Sequence, residues 1–271
     1  MGKHYGICAL CKKETELTFE HIPPKSAFNA TPAKAVTLMG MLQNKERLPW
    51  EAKGVHYLNL QQGMGYYSLC SSCNSLTGEW YGDEYKRFAG RAAYLVSSNI
   101  PDGMHSVEFK NIYPLRIIKQ ILSMFCSINR PGLFPIDDLR AFVLDKEATS
   151  IDKKKYRIQM YFTKSGFVKC APLFSISHIN PDESLSTTVV SEITFAPLGF
   201  LLYLDPEEGQ SFEGIDITAF TDVKYDQNAD VTFPIEFREV NTWLPIDYRT
   251  RPEIMETIEK NKKWKEENGF N

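Results

Sequence analysis

The sequence is most informative at first through what it lacks. Among its 271 residues no stretch approaches the ~18 consecutive apolar residues that span a bilayer. The opening Met1-Gly-Lys-His-Tyr-Gly-Ile-Cys has no apolar core of a secretory signal, and Gly6 stands where a myristoylation signal needs Ser or Thr. A soluble, cytoplasmic protein with no membrane attachment is therefore expected. There is no internal repeat, which argues against a solenoid or propeller. There is also no excess of positive charge: the formal net charge is −3, which excludes an overall basic nucleic-acid coat. Apolar residues, in contrast, are plentiful. At 43% hydrophobic and 24% charged, the chain has ample material for a core and is not expected to be disordered.

Charge is unevenly spread. Residues 1–100 carry 11 Lys and Arg against 8 Asp and Glu, whereas the remainder carries 20 against 26. A mildly positive first part can face phosphates locally, although ordinary surface scatter accounts for the bias equally well.

Six cysteines are present, and four form two pairs, Cys8-Ala-Leu-Cys11 and Cys70-Ser-Ser-Cys73. In a reducing compartment such pairs read as metal ligands rather than disulfides. Each short turn offers two thiolates, and two turns complete the four-sulfur shell of a tetrahedral zinc ion. The alternative is a redox pair or unrelated thiols. The pairs lie 58 residues apart, so zinc would close a substantial loop. Cys126 and Cys170 sit in apolar surroundings and are expected to be inert core residues.

The expected fold class is α+β. Leu17 to Ile22 alternates as a short strand that Pro23-Pro24 stops, and Tyr66–Cys70 reads as a second strand. A helix is expected over 31–46, an irregular excursion over 47–65, and a helix capped by Asn74 after the second knuckle. From Asp83 to Ser98, Tyr85, Phe88, Ala92 and Leu95 form an apolar helical stripe, with Arg87 and Arg91 on another face. After a break at 99–103, Pro114 opens a buried apolar helix, and a shorter one covers 136–143. The texture then turns to antiparallel strands at 156–163, 167–174, 187–195, 199–204, 215–220 and 231–237, followed by a charged helix over 252–268. Two domains are expected, at 1–100 and 101–271.

Chemistry concentrates in the first 100 residues. Glu20-His21 follows the first knuckle, and Asn74 directly follows Cys73. A zinc joining the knuckles would bring Asn74 near Glu20 and His21 across 52 intervening residues. A carboxylate and an amide oxygen are hard ligands suited to magnesium or manganese, and a neutral histidine beside them can take a proton from water. These are the parts needed to hydrolyse a phosphodiester.

This order, C-x2-C, then Glu-His, then C-x2-C-Asn, resembles the HNH, or ββα-metal (His-Me finger), endonuclease superfamily. It is most similar to the zinc-stapled recombination endonuclease VII type, and Glu20-His21-Ile22-Pro23-Pro24-Lys25 resembles the strand-end signature of many bacterial HNH proteins. The resemblance covers residues 5–95. It implies a zinc-stabilised nuclease module, to which the residue pattern beyond 100 adds a helix-plus-antiparallel-sheet domain. His21 would be general base, Glu20 and Asn74 would hold the catalytic divalent metal, and Cys8, Cys11, Cys70 and Cys73 would hold structural zinc. DNA is the implied substrate, in bacterial or phage defence, restriction or recombination. The same residues also suit an RNA-cleaving nuclease.

The sequence departs from the family in three places. Gly65 stands where many members have an asparagine that orients the histidine; Glu20 replaces the common Asp; and the insertion over 26–65 is long. A non-catalytic zinc ribbon that binds nucleic acid or protein is the alternative. Arg87, Arg91 and Lys25 are candidate phosphate contacts, or simply solvated surface. Trp80 and Tyr81 can stack on bases or pack against the metal module, and His56 is a loop histidine or a proton relay. Residues 101–271 carry no assigned motif, and their acidic balance favours dimerisation or a protein partner.

Overall fold

A computed structural model describes residues 2–36, 57–98, 104–164, 168–179, 185–212 and 214–236, together with Glu259 and Lys263. The chain opens with a hairpin of β1 (His4–Ile7) and β2 (Glu14–His21), whose turn is the first cysteine knuckle. After the loop beyond His21, β3 (Ala33–Val36) and β4 (Tyr57–Leu60) pair with each other. Then β5 (Gly65–Cys70) returns antiparallel to β2, giving a three-stranded sheet in the order β1-β2-β5. A bulge at Ser68 interrupts the β2–β5 pairing: Thr18 faces Leu69, whereas Phe19 faces Tyr67.

Cys70 ends β5 and caps α1 (Ser71–Thr77), its sulfur accepting from the Cys73 amide. The cap is therefore a cysteine, not Asn74 as the sequence led us to expect; Asn74 lies inside the helix. A π-helical turn at Gly78–Gly82 continues into α2 (Asp83–Ser97), which buries Tyr85, Phe88 and Ala92 as its spacing predicts.

Then follow β6 (Met104–Ile112), α3 (Pro114–Ile128) and α4 (Asp137–Leu144). Pro114 is prearranged for the first helical turn, and the apolar side chains of α3 surround its axis. A helix apolar on all sides must lie inside, and every residue of α3 except Arg116 is buried. The strands β7 (Tyr156–Phe162), β8 (Lys169–Ile179), β9 (Leu185–Phe195), β10 (Leu198–Leu204) and β11 (Ile215–Asp216) form an antiparallel sheet in the order β11-β7-β10-β9-β8. Finally β12 (Ala229–Glu236) pairs with β6.

One apolar core runs through both parts of the chain, from Cys8, Leu10, Leu69 and Tyr81 to Leu122, Phe125, Ile158 and Leu202. Among the described residues no helix is long and apolar enough to cross a membrane.

Three expectations need correction. Residues 33–36 are a strand, not the start of a helix, because β4 supplies a ladder partner that local propensity does not reveal. Residues 57–60, within the stretch expected to be irregular, are that partner. The strand expected at 215–220 stops after two residues. There the Asp216 carboxylate accepts from the Thr218 amide at 2.8 Å, and the chain turns into a 3-10 segment at Thr218–Asp222. The rest of the helix expected over 31–46, the break at 99–103 and His56 lie outside the described residues; of the helix expected over 252–268, Glu259 and Lys263 are described, and both are helical.

Candidate functional site

The two knuckles bring four sulfurs together. The Sγ atoms of Cys8, Cys11, Cys70 and Cys73 all lie within 4.8 Å of one another, and Cys11 and Cys70 are 3.9 Å apart. Tetrahedral zinc with bonds of about 2.3 Å needs sulfurs roughly 3.8 Å apart, so the set suits a tetrahedral ion such as zinc. Backbone donors already serve the thiolates: the Cys70 amide reaches Cys8 Sγ at 3.3 Å and the Cys73 amide reaches Cys70 Sγ at 3.5 Å. The Cys8 thiol is drawn down to about 4, chiefly by its hydrogen bond with Cys73 and further by backbone amides, while the same contact pushes Cys73 up. Lys12 turns the first knuckle in a left-handed conformation, φ 59°, and its amide donates to the Cys8 carbonyl.

The knuckle is also gripped from behind. Arg140 of α4 is fully buried and donates to the carbonyls of Ala9 at 2.7 Å and Asn129 at 2.8 Å, with Asp137 as its ionic partner at 2.9 Å. Lys12 pairs with the same Asp137 at 2.7 Å. Elements beyond residue 100 thus hold the first cysteine turn in place.

Beside this frame, Asn74 donates its amide nitrogen to Thr18 Oγ1 at 3.0 Å, and Thr18 donates to the Leu69 carbonyl at 2.9 Å. That orientation leaves Asn74 Oδ1 without a partner among the described residues. Glu20 lies two residues beyond Thr18, on the same face of β2 by the strand period. Its side chain is buried, has no hydrogen-bond partner among the described residues, and is pushed by desolvation up to about 7. Among the described residues Glu20 thus has burial without a counter-charge, and Asn74 is tied to the same strand through Thr18.

His21 ends β2 and falls on the other face, with Phe19, whose ring meets it edge-on at 5.0 Å. Its Nε2 lies 3.0 Å from the Gln62 carbonyl. A carbonyl only accepts, so Nε2 carries the hydrogen and, in the neutral ring, the lone pair is on Nδ1. Gly65 pairs with His21 across the ladder, and a Cβ there would lie 2.2 Å from the Glu20 carbonyl oxygen. An asparagine at 65 does not fit this backbone. The aromatic row continues along the face, with Phe19 against Tyr67 at 5.4 Å and Tyr67 stacked on His4 at 3.5 Å.

The remaining candidates are placed as follows. Arg87 bonds Glu84 at 2.7 Å and the Asn111 carbonyl at 2.6 Å, and Arg91 bonds the Lys110 carbonyl, so both tie α2 to β6. Lys25 is exposed in the loop after β2. Tyr81 is buried and donates to the Val143 carbonyl at 2.7 Å, a packing role rather than a stacking one. Cys126 and the thiol of Cys170 are inert by burial, which pushes both up to about 12.

Sequence reasoning missed the support of His21. The Gln62 carbonyl is main chain and leaves no side-chain signature, and Asn29, buried beneath it, looks like an ordinary loop residue. The glycines Gly63 and Gly65 were the visible signal. No protein-family description, curated protein or solved structure matches the chain.

Proposed function

We propose that the protein is a metal-dependent HNH-type endonuclease that hydrolyses phosphodiester bonds in DNA. Three observations support this reading: four cysteines that could hold a metal ion, Asn74 hydrogen-bonded to Thr18 two residues before Glu20 on β2, and His21 at the end of that strand with a carbonyl on Nε2. His21 Nδ1 takes the proton from the attacking water. Glu20 and Asn74 Oδ1 would hold the divalent cation, which would supply charge stabilisation to the phosphate and the departing oxygen. The exposed rings of Tyr67 and His4 offer stacking surface alongside.

A second reading, a zinc-stabilised binding module without catalysis, is favoured by one observation. Glu20 and His21 occupy consecutive strand positions, so their side chains leave opposite faces of β2, and a scissile phosphate would have to sit at the strand end between them. One assay decides. Supercoiled plasmid, branched DNA, single-stranded DNA and RNA are each incubated with magnesium, manganese or chelator, using wild type and His21→Ala. The nuclease reading expects metal-dependent cleavage reduced at least ~100-fold in the variant, the usual scale of a lost general base. Cleavage unchanged by the substitution overturns it, and cleavage of RNA alone reassigns the substrate.

A further inference from the structure

We propose that Asn29 is a positioning residue for His21, acting through the turn at Gln62–Met64. The route is a continuous set of hydrogen bonds. Asn29 is fully buried, and its Nδ2 donates to the carbonyls of Pro23 and Met64, both at 2.7 Å. Its Oδ1 accepts from the Met64 amide at 2.7 Å. Two of these bonds grip the backbone of a single residue, Met64, whose carbonyl also accepts from the Ile22 amide at 3.0 Å. Met64 lies two residues from Gln62, the residue whose carbonyl holds His21 Nε2.

The intervening residue makes the link stiff. Gly63 has φ +91°, and a Cβ there would lie 2.5 Å from Asn29 Oδ1 and 2.6 Å from the Asn29 carbonyl oxygen. The turn therefore closes directly against Asn29, and only glycine permits it. On the other side Phe28 holds φ 74°, a left-handed conformation unusual for a bulky side chain. Such strain persists where surrounding contacts over-determine it, and the three bonds of Asn29 are such contacts. Asn29 and Met64 are 35 residues apart, so the clamp closes the neck of the 26–65 insertion. The insertion's base thereby becomes part of the histidine's support.

The support is independent of activity, and its catalytic consequence rests on the nuclease reading. The test is made on the full chain with its zinc. A carbonyl-bound Nε2–H gives a ring proton resonance protected from exchange with water. Wild type is expected to show it for His21, identified by its loss in His21→Ala. Asn29→Ala is expected to speed its exchange by roughly tenfold or more, the equivalent of one net hydrogen bond. Gly63→Ala, which disturbs the same turn from the opposite side, is expected to do likewise. Glu192→Gln, which weakens the distant sheet, is expected to leave it unchanged. A folded, zinc-loaded Asn29→Ala with an unaltered His21 resonance overturns the proposal. Should that variant fail to fold, Asn29→Asp keeps the side chain's shape while removing its donors, and an unaltered resonance there overturns it equally. Cleavage assays then separate the two ideas. If nucleic acid is not cut, the nuclease reading fails while the ring-proton result stands by itself.

Discussion

At the scale of single residues the site is defined by groups that fit poorly into a folded protein. Glu20 is the sharpest case, because burial raises its carboxyl to about 7 from an ordinary 4.5. A group whose folded value is raised stabilises the fold below its unfolded value and loses that contribution as pH rises through the folded value. Glu20 therefore leaves the fold untaxed below about 4.5, destabilises it increasingly up to about 7, and by a constant amount above that. Glu20→Gln keeps the shape and removes the charge. Without divalent metal, the variant is expected to match wild type near pH 4.5 and to exceed it above pH 7 by up to about 3 kcal/mol, read from thermal unfolding at both pH values. Equal stability at pH 8 would mean that the carboxylate is well solvated or already paired. A residue that costs stability when empty is what a metal-binding role demands, since the cation offsets the charge that burial penalises.

At the scale of elements the frame depends on α4 as much as on the knuckles. Arg140 donates to the buried carbonyls of Ala9 and Asn129 and is fixed by Asp137. Arg140→Met keeps apolar bulk but leaves two buried carbonyls bare, so it is expected to cost about 3 kcal/mol or more in urea unfolding. It should also weaken zinc retention, because Ala9 lies inside the first C-x2-C turn. A loss below about 1 kcal/mol would show that water replaces the guanidinium. This contact also marks how far the sequence could be read. The cysteine pairs, the strands flanking them, the stripe of α2 and the apolar belt of α3 were legible because each is a local pattern set by ligand spacing or by the period of one element. Arg140 was not, since nothing in Asp137-Asp138-Leu139-Arg140 signals a carbonyl 131 residues earlier. Nor were β3 with β4, whose pairing is long-range, or the Gln62 carbonyl, since a main-chain acceptor has no residue identity. Asn29 belongs to the same class. Its role exists only once the insertion's two ends meet.

For the whole molecule, the decisive feature is that the metal frame and the following sheet share one core. Cys8 and Cys73 belong to the same apolar cluster as Leu122 and Phe125 of α3 and Ile158 and Leu202 of the sheet. Tyr81 and Tyr225 add polar ties across the middle, to the Val143 carbonyl at 2.7 Å and the Trp80 carbonyl at 2.9 Å. A separately folded zinc module would melt alone when its ion was withdrawn, leaving the remainder intact. Here four thiols packed in the same cluster as α3 would loosen the core itself when left without their ion, and metal binding free energy would act as folding free energy for the chain. Removing zinc with a strong chelator, or ligand loss in Cys8→Ser, is therefore expected to lower the unfolding temperature of the entire chain in a single transition. The test follows amide exchange in the knuckle region, at β1 and β2, and in β9 and β10 of the sheet, with and without zinc. Coincident losses of protection are expected in both regions. Persistence of full protection in β9 and β10 after the knuckle region has opened would show that the sheet stands alone, and that α4 merely rests against the metal frame.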